Sequence, residues 1–299
     1  MPWDLGSQSG SWSVWSGSRS GSQSERQCER TSFAFYRAVR DLLPVWLLED
    51  MRTMEVFHWE DGRACAFTPS EALLYAVVHD HQQYARYLLN RYSVSALGAP
   101  GRSFCCCPAS GAPHLSVAVR YNRISVLGMI VDALKDFSTE SARRNYLDSR
   151  GGCAHSADAG KTAVHLACDL VRPECLLLLL VHGACPYLTD RTRESPLDCL
   201  LQRMRQDSSN MVAEARGQQV CVGYLLLFMP KLPRLPFLQQ EPQLWQRLLG
   251  NEAFRWLAGL APPSLFVQAM QTLTRAVPGQ LDALPDFLKP LDFRLSETW

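Results

Sequence analysis

The sequence predicts an all-α fold: a solenoid of paired helices joined by short hairpin loops, followed by a separate C-terminal helical module. Three observations carry that reading. A seven-residue pattern, TAVHLAC at 162–168, returns as SPLDCLL at 195–201, a period of 33 (195 − 162). Upstream, apolar residues recur at helical steps with turn residues between the runs. Beyond Pro230 a proline-rich stretch gives way to two further helical patterns unlike the repeats.

In chain order, residues 1–31 are dominated by Ser and Gly with no hydrophobic period, the composition of a disordered tail. Trp3, Trp12 and Trp15 are unusual in a linker, but disorder is preferred over a short docking motif. Residues 32–68 open with FAFYRAVRDLLPVWLLEDM and are expected to form a helical capping segment, kinked or split at Pro44, which cannot continue a helix. Residues 69–229 hold four repeats. TAVHLAC and SPLDCLL resemble the ankyrin signature Thr-Pro-Leu-His-x-Ala-Ala, and 33 residues is the ankyrin period. Thr162 is placed to cap the first helix, His165 to bond neighbouring backbone, and Gly183 to end the second helix of that repeat. Weaker copies at 72–89 and 114–131 align Ala76 and Ala118 with Ala167. Their longer spacing is assigned to inserted loops, LGAPGRSFCCCPASGAP and SRGGCAHSADAG, tolerated because each repeat touches only its neighbours. In the fourth copy QDSSNMVAEARGQQ intervenes before VCVGYLLLF supplies the second helix. Residues 230–242 read as a proline-rich linker and 243–299 as the C-terminal helical region.

Composition and motifs exclude several classes of function. Lys plus Arg number 30 and Asp plus Glu 29, so no charge excess marks a nucleic-acid or membrane surface. The longest apolar runs fall short of the ~20 residues that span a bilayer, and no secretory signal is expected. The eleven cysteines are odd in number and scattered, several within apolar helical runs. They read as reduced thiols in a protein of the cytoplasm or nucleus. GKT at 160–162 lacks the glycine a phosphate-binding loop needs five residues before it, where His155 stands. Cys105, Cys106 and Cys107 are adjacent and cannot all face one tetrahedral metal; an exposed thiol loop is preferred over redox chemistry or palmitoylation. His79 and His81 flank Asp80 with no nucleophile at a catalytic spacing. No catalytic residue, metal site or cofactor is expected, and the natural work of such a chain is binding other proteins. In an ankyrin stack the hairpin tips and first-helix faces form the binding surface, which makes Asp190, Arg191, Arg193 and Glu194 in YLTDRTRES the candidate client contacts.

SFAFYRAVRDLLPVWLLEDM (32–51), SEALLYAVVHDHQQYARYLL (70–89), AVRYN (118–122) and WQRLLGNEAFRWLAGLAPPSLFVQAMQTL (245–273) are similar to an ankyrin-repeat family with a SOCS-box-like C-terminal region. That family is regarded as supplying substrate receptors to cullin-RING ubiquitin ligases. The resemblance implies a client bound by the repeats, elongin B/C and a cullin bound by the C-terminal helices, and ubiquitin transfer by a partner enzyme. SOCS-box receptors dock on elongin C through small-Leu-x-x-x-Cys-x-x-x-aliphatic, and SLFVQAMQTL places Ser264, Leu265, Ala269 and Leu273 at those positions. With Phe266 and Met270 these form an apolar stripe suited equally to a groove or to packing against the last ankyrin helix, on a helix that Pro262 and Pro263 can start. Ala269 stands where the family has cysteine. The family's Leu-Pro-x-Pro stretch favours cullin-5 over cullin-2; Leu284 and Pro285 match it, followed by Phe287 and Leu288, but its second proline is missing.

Overall fold

The computed structural model describes residues 33–54, 58–60, 63–100, 113–151, 160–206, 212–233 and 235–276. They fall into two compact units, Met1–Ser138 with Cys153–Ser156, and Thr139–Gly152 with Ala157–Trp299. The fold class is the expected one, ankyrin-type helical hairpins in an all-α protein.

The first unit contains α1 (33–40), α2 (Val45–Thr53), α3 (Pro69–His79), α4 (Gln82–Tyr92), α5 (Pro113–Arg120) and α6 (Ile124–Ala133). One turn joins each pair. Leu42, Asp80 and Asn122 adopt left-handed backbone, with φ of 54°, 56° and 54°. The next residue's N–H then closes each turn: Leu43 donates to the Ala38 carbonyl (3.1 Å), His81 to Ala76 (2.9 Å) and Arg123 to Ala118 (2.8 Å). The same turn recurs in the second unit, where Val171 has φ 51° and Arg172 donates to the Ala167 carbonyl at 2.8 Å. Ala76, Ala118 and Ala167, aligned from sequence alone, therefore hold equivalent positions, each wholly buried where a larger side chain would force the two helices apart. Ala38 is a fourth member, and the break expected at Pro44 is a complete chain reversal.

One expectation for this region needs correction. Residues 58–65 lie within the segment expected to be helical, yet β1 (His58–Glu60) and β2 (Arg63–Cys65) pair antiparallel, His58 opposite Cys65. Asp61-Gly62 separates them, the kind of dipeptide that closes a two-residue hairpin. Just before the inserted loop SRGGCAHSADAG, in a stretch for which no element is expected from the pattern, lies α7 (Glu140–Leu147). Thr139 caps it by accepting from the Ala142 N–H (3.1 Å), and Glu140 pairs with Arg143 and Arg144.

Buried polar groups tie the turns and caps together. Thr68 and Glu71 form a reciprocal capping box at the start of α3. The wholly buried His114 donates from Nε2 to the Ser70 carbonyl at 3.0 Å, linking α5 to α3. Burial pushes its imidazole down to about 4. A histidine depressed in the fold takes up its proton first in the unfolded chain, so it stabilises fully above ~6.5 and less as pH falls towards its folded value. Thermal melts should accordingly show stability falling between pH ~6.5 and ~4, and His114→Gln should flatten that part of the profile.

The second unit holds α7, α8 (Ala163–Asp169), α9 (Pro173–Val181), α10 (Pro196–Gln206) and α11 (Val212–Phe228). It continues with a 3₁₀ turn (Pro236–Gln239), α12 (Pro242–Leu249), α13 (Asn251–Leu257) and α14 (Leu265–Ala276). TAVHLAC and SPLDCLL begin α8 and α10, which pack side by side, as the 33-residue period requires. Thr162 with His165 and Ser195 with Asp198 form matching caps. α11 starts at Val212, so half of the segment expected to interrupt the fourth repeat is helix. The segment expected as a linker is packed: Leu238 is fully buried and the Phe237 ring meets Trp245 at 5.5 Å.

α11 packs against α9, α10, α12 and α14. Its Gly217 is required by position: a Cβ there would lie 2.9 Å from Cγ1 of Val171, the β-branched residue in the left-handed turn. Gly217→Ala should cost ~1–3 kcal/mol by overpacking. Adding Val171→Gly should recover most of it, since glycine removes both the clash and the backbone strain. Urea titration of the two single variants and the double variant checks the coupling; additive losses would disprove it.

Candidate functional site

Along α14, two populations of side chain point in opposite directions. Ser264 begins the helix, its Oγ accepting from the Val267 N–H at 3.4 Å, just after Pro262 and Pro263. Val267, Met270 and Gln271 are buried, and Gln271 donates from Nε2 to the Leu226 carbonyl of α11 at 2.8 Å. The opposite face is open. Leu265 is 84% exposed and Phe266 56%, while Ala269 is also exposed and Leu273 half-buried. Leu260, just before the helix, is exposed as well. Of the five residues expected to meet elongin C, Leu265, Phe266 and Ala269 thus share a free apolar face, with Leu273 at its margin. Met270 belongs to the inner face and is corrected: the helical angle between positions 267, 270 and 271 sends all three towards α11. The helix is likewise part of the second unit's core, not a separate module. Leu284, Pro285, Phe287 and Leu288, the expected cullin contacts, lie outside the described residues.

The expected client contacts form a tight turn. Asp190 Oδ1 accepts from the Thr192 N–H (2.8 Å), the Thr192 hydroxyl (2.6 Å) and the Glu194 N–H (3.1 Å). Burial raises the Asp190 carboxyl, but those hydrogen bonds outweigh it and hold the group below the usual carboxylate range. The Glu194 carboxylate accepts from Gln202, and its carbonyl accepts from His165 Nε2–H at 3.1 Å. His165 Nδ1 accepts from the Thr162 N–H at 3.2 Å, which fixes the tautomer. Asp190 and Glu194 therefore shape the tip, while Arg191 and Arg193 are exposed on it. Arg193 is in left-handed backbone (φ 66°), and the Arg191 chain lies over Gly160, where a Cβ would approach its Cγ to 2.6 Å. Sequence reasoning named the tip but missed Thr192 and Gly160; an Asp followed two residues on by Thr was the available sign of an Asx turn.

Among the described residues, ligand atoms of Asp190, Glu194 and Cys199 lie within 4.8 Å of one another. They make a poor metal cradle. The Asp190 oxygen is filled by turn donors, and burial pushes the Cys199 thiol up to about 12, away from the thiolate a metal needs. Cys168, Cys175 and Cys221 are buried thiols of the same inert kind. No helix among the described residues is long and apolar enough to cross a membrane.

Ankyrin repeat domain-containing protein 9 of Mus musculus is 47% identical over 300 residues, covering 90% of this chain and 91% of its own. The chain belongs to the ankyrin repeat domain-containing protein 9 family. No family profile and no solved structure matches it. A match leaving a tenth of the chain unaligned cannot omit the whole of 243–299, so the family likeness extends beyond the hairpins into the C-terminal region. As an ankyrin-repeat protein, this member of the ankyrin repeat domain-containing protein 9 family is a protein-interaction module.

Proposed function

We propose that this chain is the substrate-receptor subunit of a cullin-RING E3 ubiquitin ligase. In this reading its ankyrin repeats hold a client for ubiquitination and proteasomal degradation. Its C-terminal helices hold elongin B/C and a cullin, cullin-5 in preference to cullin-2. The chain itself supplies no catalysis. One observation carries the reading: α14 is anchored by Val267, Met270 and Gln271 while Leu265 and Phe266 stand in solvent on the side that matches the SOCS-box pattern. A leucine exposed to this extent contributes little to the fold, yet it heads a stripe suited to an apolar groove. The competing reading is an ankyrin scaffold without a ligase, favoured by Ala269 in place of cysteine and by the packing of α14 on α11.

Two sets of substitutions separate the arms. Charge reversal of Arg191 and Arg193, both exposed at the tip of the turn, should reduce client capture severalfold while elongin B/C recovery is unchanged. Proximity labelling of clients with quantitative co-purification of elongins reads both arms together. Unchanged capture would move the client surface off this tip. Leu265→Ser tests the ligase arm: a folded variant that still recovers elongin B/C and a cullin would sink the receptor reading.

A further inference from the structure

Polar side chains fill the left-handed position of two repeat turns, Asp80 and Asn122, and short polar groups tolerate that backbone best. Leu42 and Val171 are the apolar exceptions. Val171 has a packing reason, since its Cγ1 sits over Gly217. Leu42 has none of that kind: it is 57% exposed. The first hairpin thus bears a strained backbone and an exposed leucine at one residue. Trp46, four positions on at the start of α2, is 67% exposed, and Phe33 on α1 is open too.

The rim around these side chains is basic. The Arg37 guanidinium lies over the Phe33 ring at 5.1 Å and shares Asp41 with Arg40. Arg40 pairs with Asp41 at 2.8 Å, and Arg123 lies 3.9 Å from Asp80. Three guanidinium groups therefore meet two carboxylates. Beside them His79, its ring 4.7 Å from Tyr36, has a buried Nε2 with no hydrogen-bond partner.

We propose that the turn edge of the first hairpin, Leu42 and Trp46 with Phe33, Arg37, Arg40 and His79, is a second protein-docking surface that takes an acidic segment bearing a bulky apolar anchor. Exposed tryptophan and arginine are the side chains on which binding energy concentrates, and the cationic rim selects the sign of the partner. Residues 1–32 end where α1 begins and carry three tryptophans. Their charges balance, however, with Asp4, Glu25 and Glu29 against Arg19, Arg26 and Arg30, so they lack the acidity the rim calls for. The surface is independent of the ligase reading and survives its failure.

The test is selection from a displayed library of random short peptides on the full-length chain, with a Leu42→Asn/Trp46→Ser variant as counter-target. Asparagine suits the left-handed turn, so the melting temperature of Leu42→Asn should hold or rise by ~2 °C. Acidic peptides with Trp, Phe or Leu anchors should be enriched. A fluorescein-labelled winner should lose roughly tenfold in Kd on the double variant and weaken again above ~0.5 M salt, where the rim is screened. Failure to enrich over the variant, or enrichment of basic peptides, overturns the proposal. Binding seen only after deletion of residues 1–32 makes the chain's own N-terminus the occupant. Sedimentation showing a dimer that the double variant abolishes makes it a second copy; either result overturns the proposal as well.

Discussion

Leu265→Ser should lower recovery of elongin B/C by one to two decades and leave the melting curve where it was. The first half follows from burial on binding. A leucine moved from water into an apolar pocket contributes roughly 1.5–3 kcal/mol, and each 1.4 kcal/mol is about tenfold in affinity. The second half follows from exposure in the free chain: at 84% exposed, Leu265 has little native packing to lose. Val267→Ser is the matched control, since Val267 is 2% exposed on the inner face and its truncation should destabilise the second unit. Removing the whole C-terminal region would confound the two effects, because Trp245, Phe254 and Leu257 of α12 and α13 are buried. Ala269→Cys, restoring the SOCS-box residue on an exposed position, should leave stability alone and strengthen elongin binding. Equal recovery by wild type and Leu265→Ser, measured on folded protein, would assign the α14 face to something other than elongin C.

The hairpins were legible because a single turn geometry imposes a sequence requirement. A left-handed residue four positions after a small one gives Ala76, Ala118 and Ala167 a common environment, and the alignment of those alanines found it despite unequal inserts. Ala38 has the same setting, but Pro44 drew attention to a break and hid the hairpin that the break makes. α7 escaped notice for a different reason. Among its residues Leu147 alone is buried, so no apolar stripe announces it, and its signals are a threonine cap and Glu–Arg pairs. The start of α11 was hidden similarly, in the polar run before Val220. On α14 the motif supplied the right open face at Leu265 and Phe266. It misplaced Met270 because a docking pattern names positions relative to a partner, whereas the inner face is chosen by α11. At the 187–195 tip sequence located the charged residues but could not divide Arg191 and Arg193, which are displayed, from Asp190 and Glu194, which hold the turn.

Arg52→Met should destabilise the first unit by ~3–5 kcal/mol at neutral pH, the range for removing one partner of an enclosed ion pair. Arg52 reaches from α2 to bind both Glu49 oxygens, at 2.9 and 2.6 Å, and donates to the Phe67 carbonyl (2.8 Å) and the Tyr92 hydroxyl (2.8 Å). Glu49 also accepts from the hydroxyls of Tyr92 and Tyr84, so the network joins α2 to α4. Burial works to raise the Glu49 carboxyl, but the hydrogen bonds from Arg52 and Tyr92 prevail and hold it below the usual range. In the wild type, then, Glu49 stabilises above the unfolded carboxylate value of ~4.3 and that contribution is lost as pH falls through the folded one. Without Arg52 the burial effect dominates and the carboxyl should titrate above its unfolded value, which reverses the sign: the variant regains stability as acid neutralises Glu49. Glu49→Gln in the Arg52→Met background should recover part of the loss at neutral pH and erase the acid rescue, since the uncompensated charge is gone. Urea denaturation of the three proteins between pH ~7 and ~4.5 reads the reversal directly. Parallel pH profiles for wild type and Arg52→Met would show that Glu49 is solvated and that the α2–α4 junction rests on Leu48, Tyr84 and Leu88 alone.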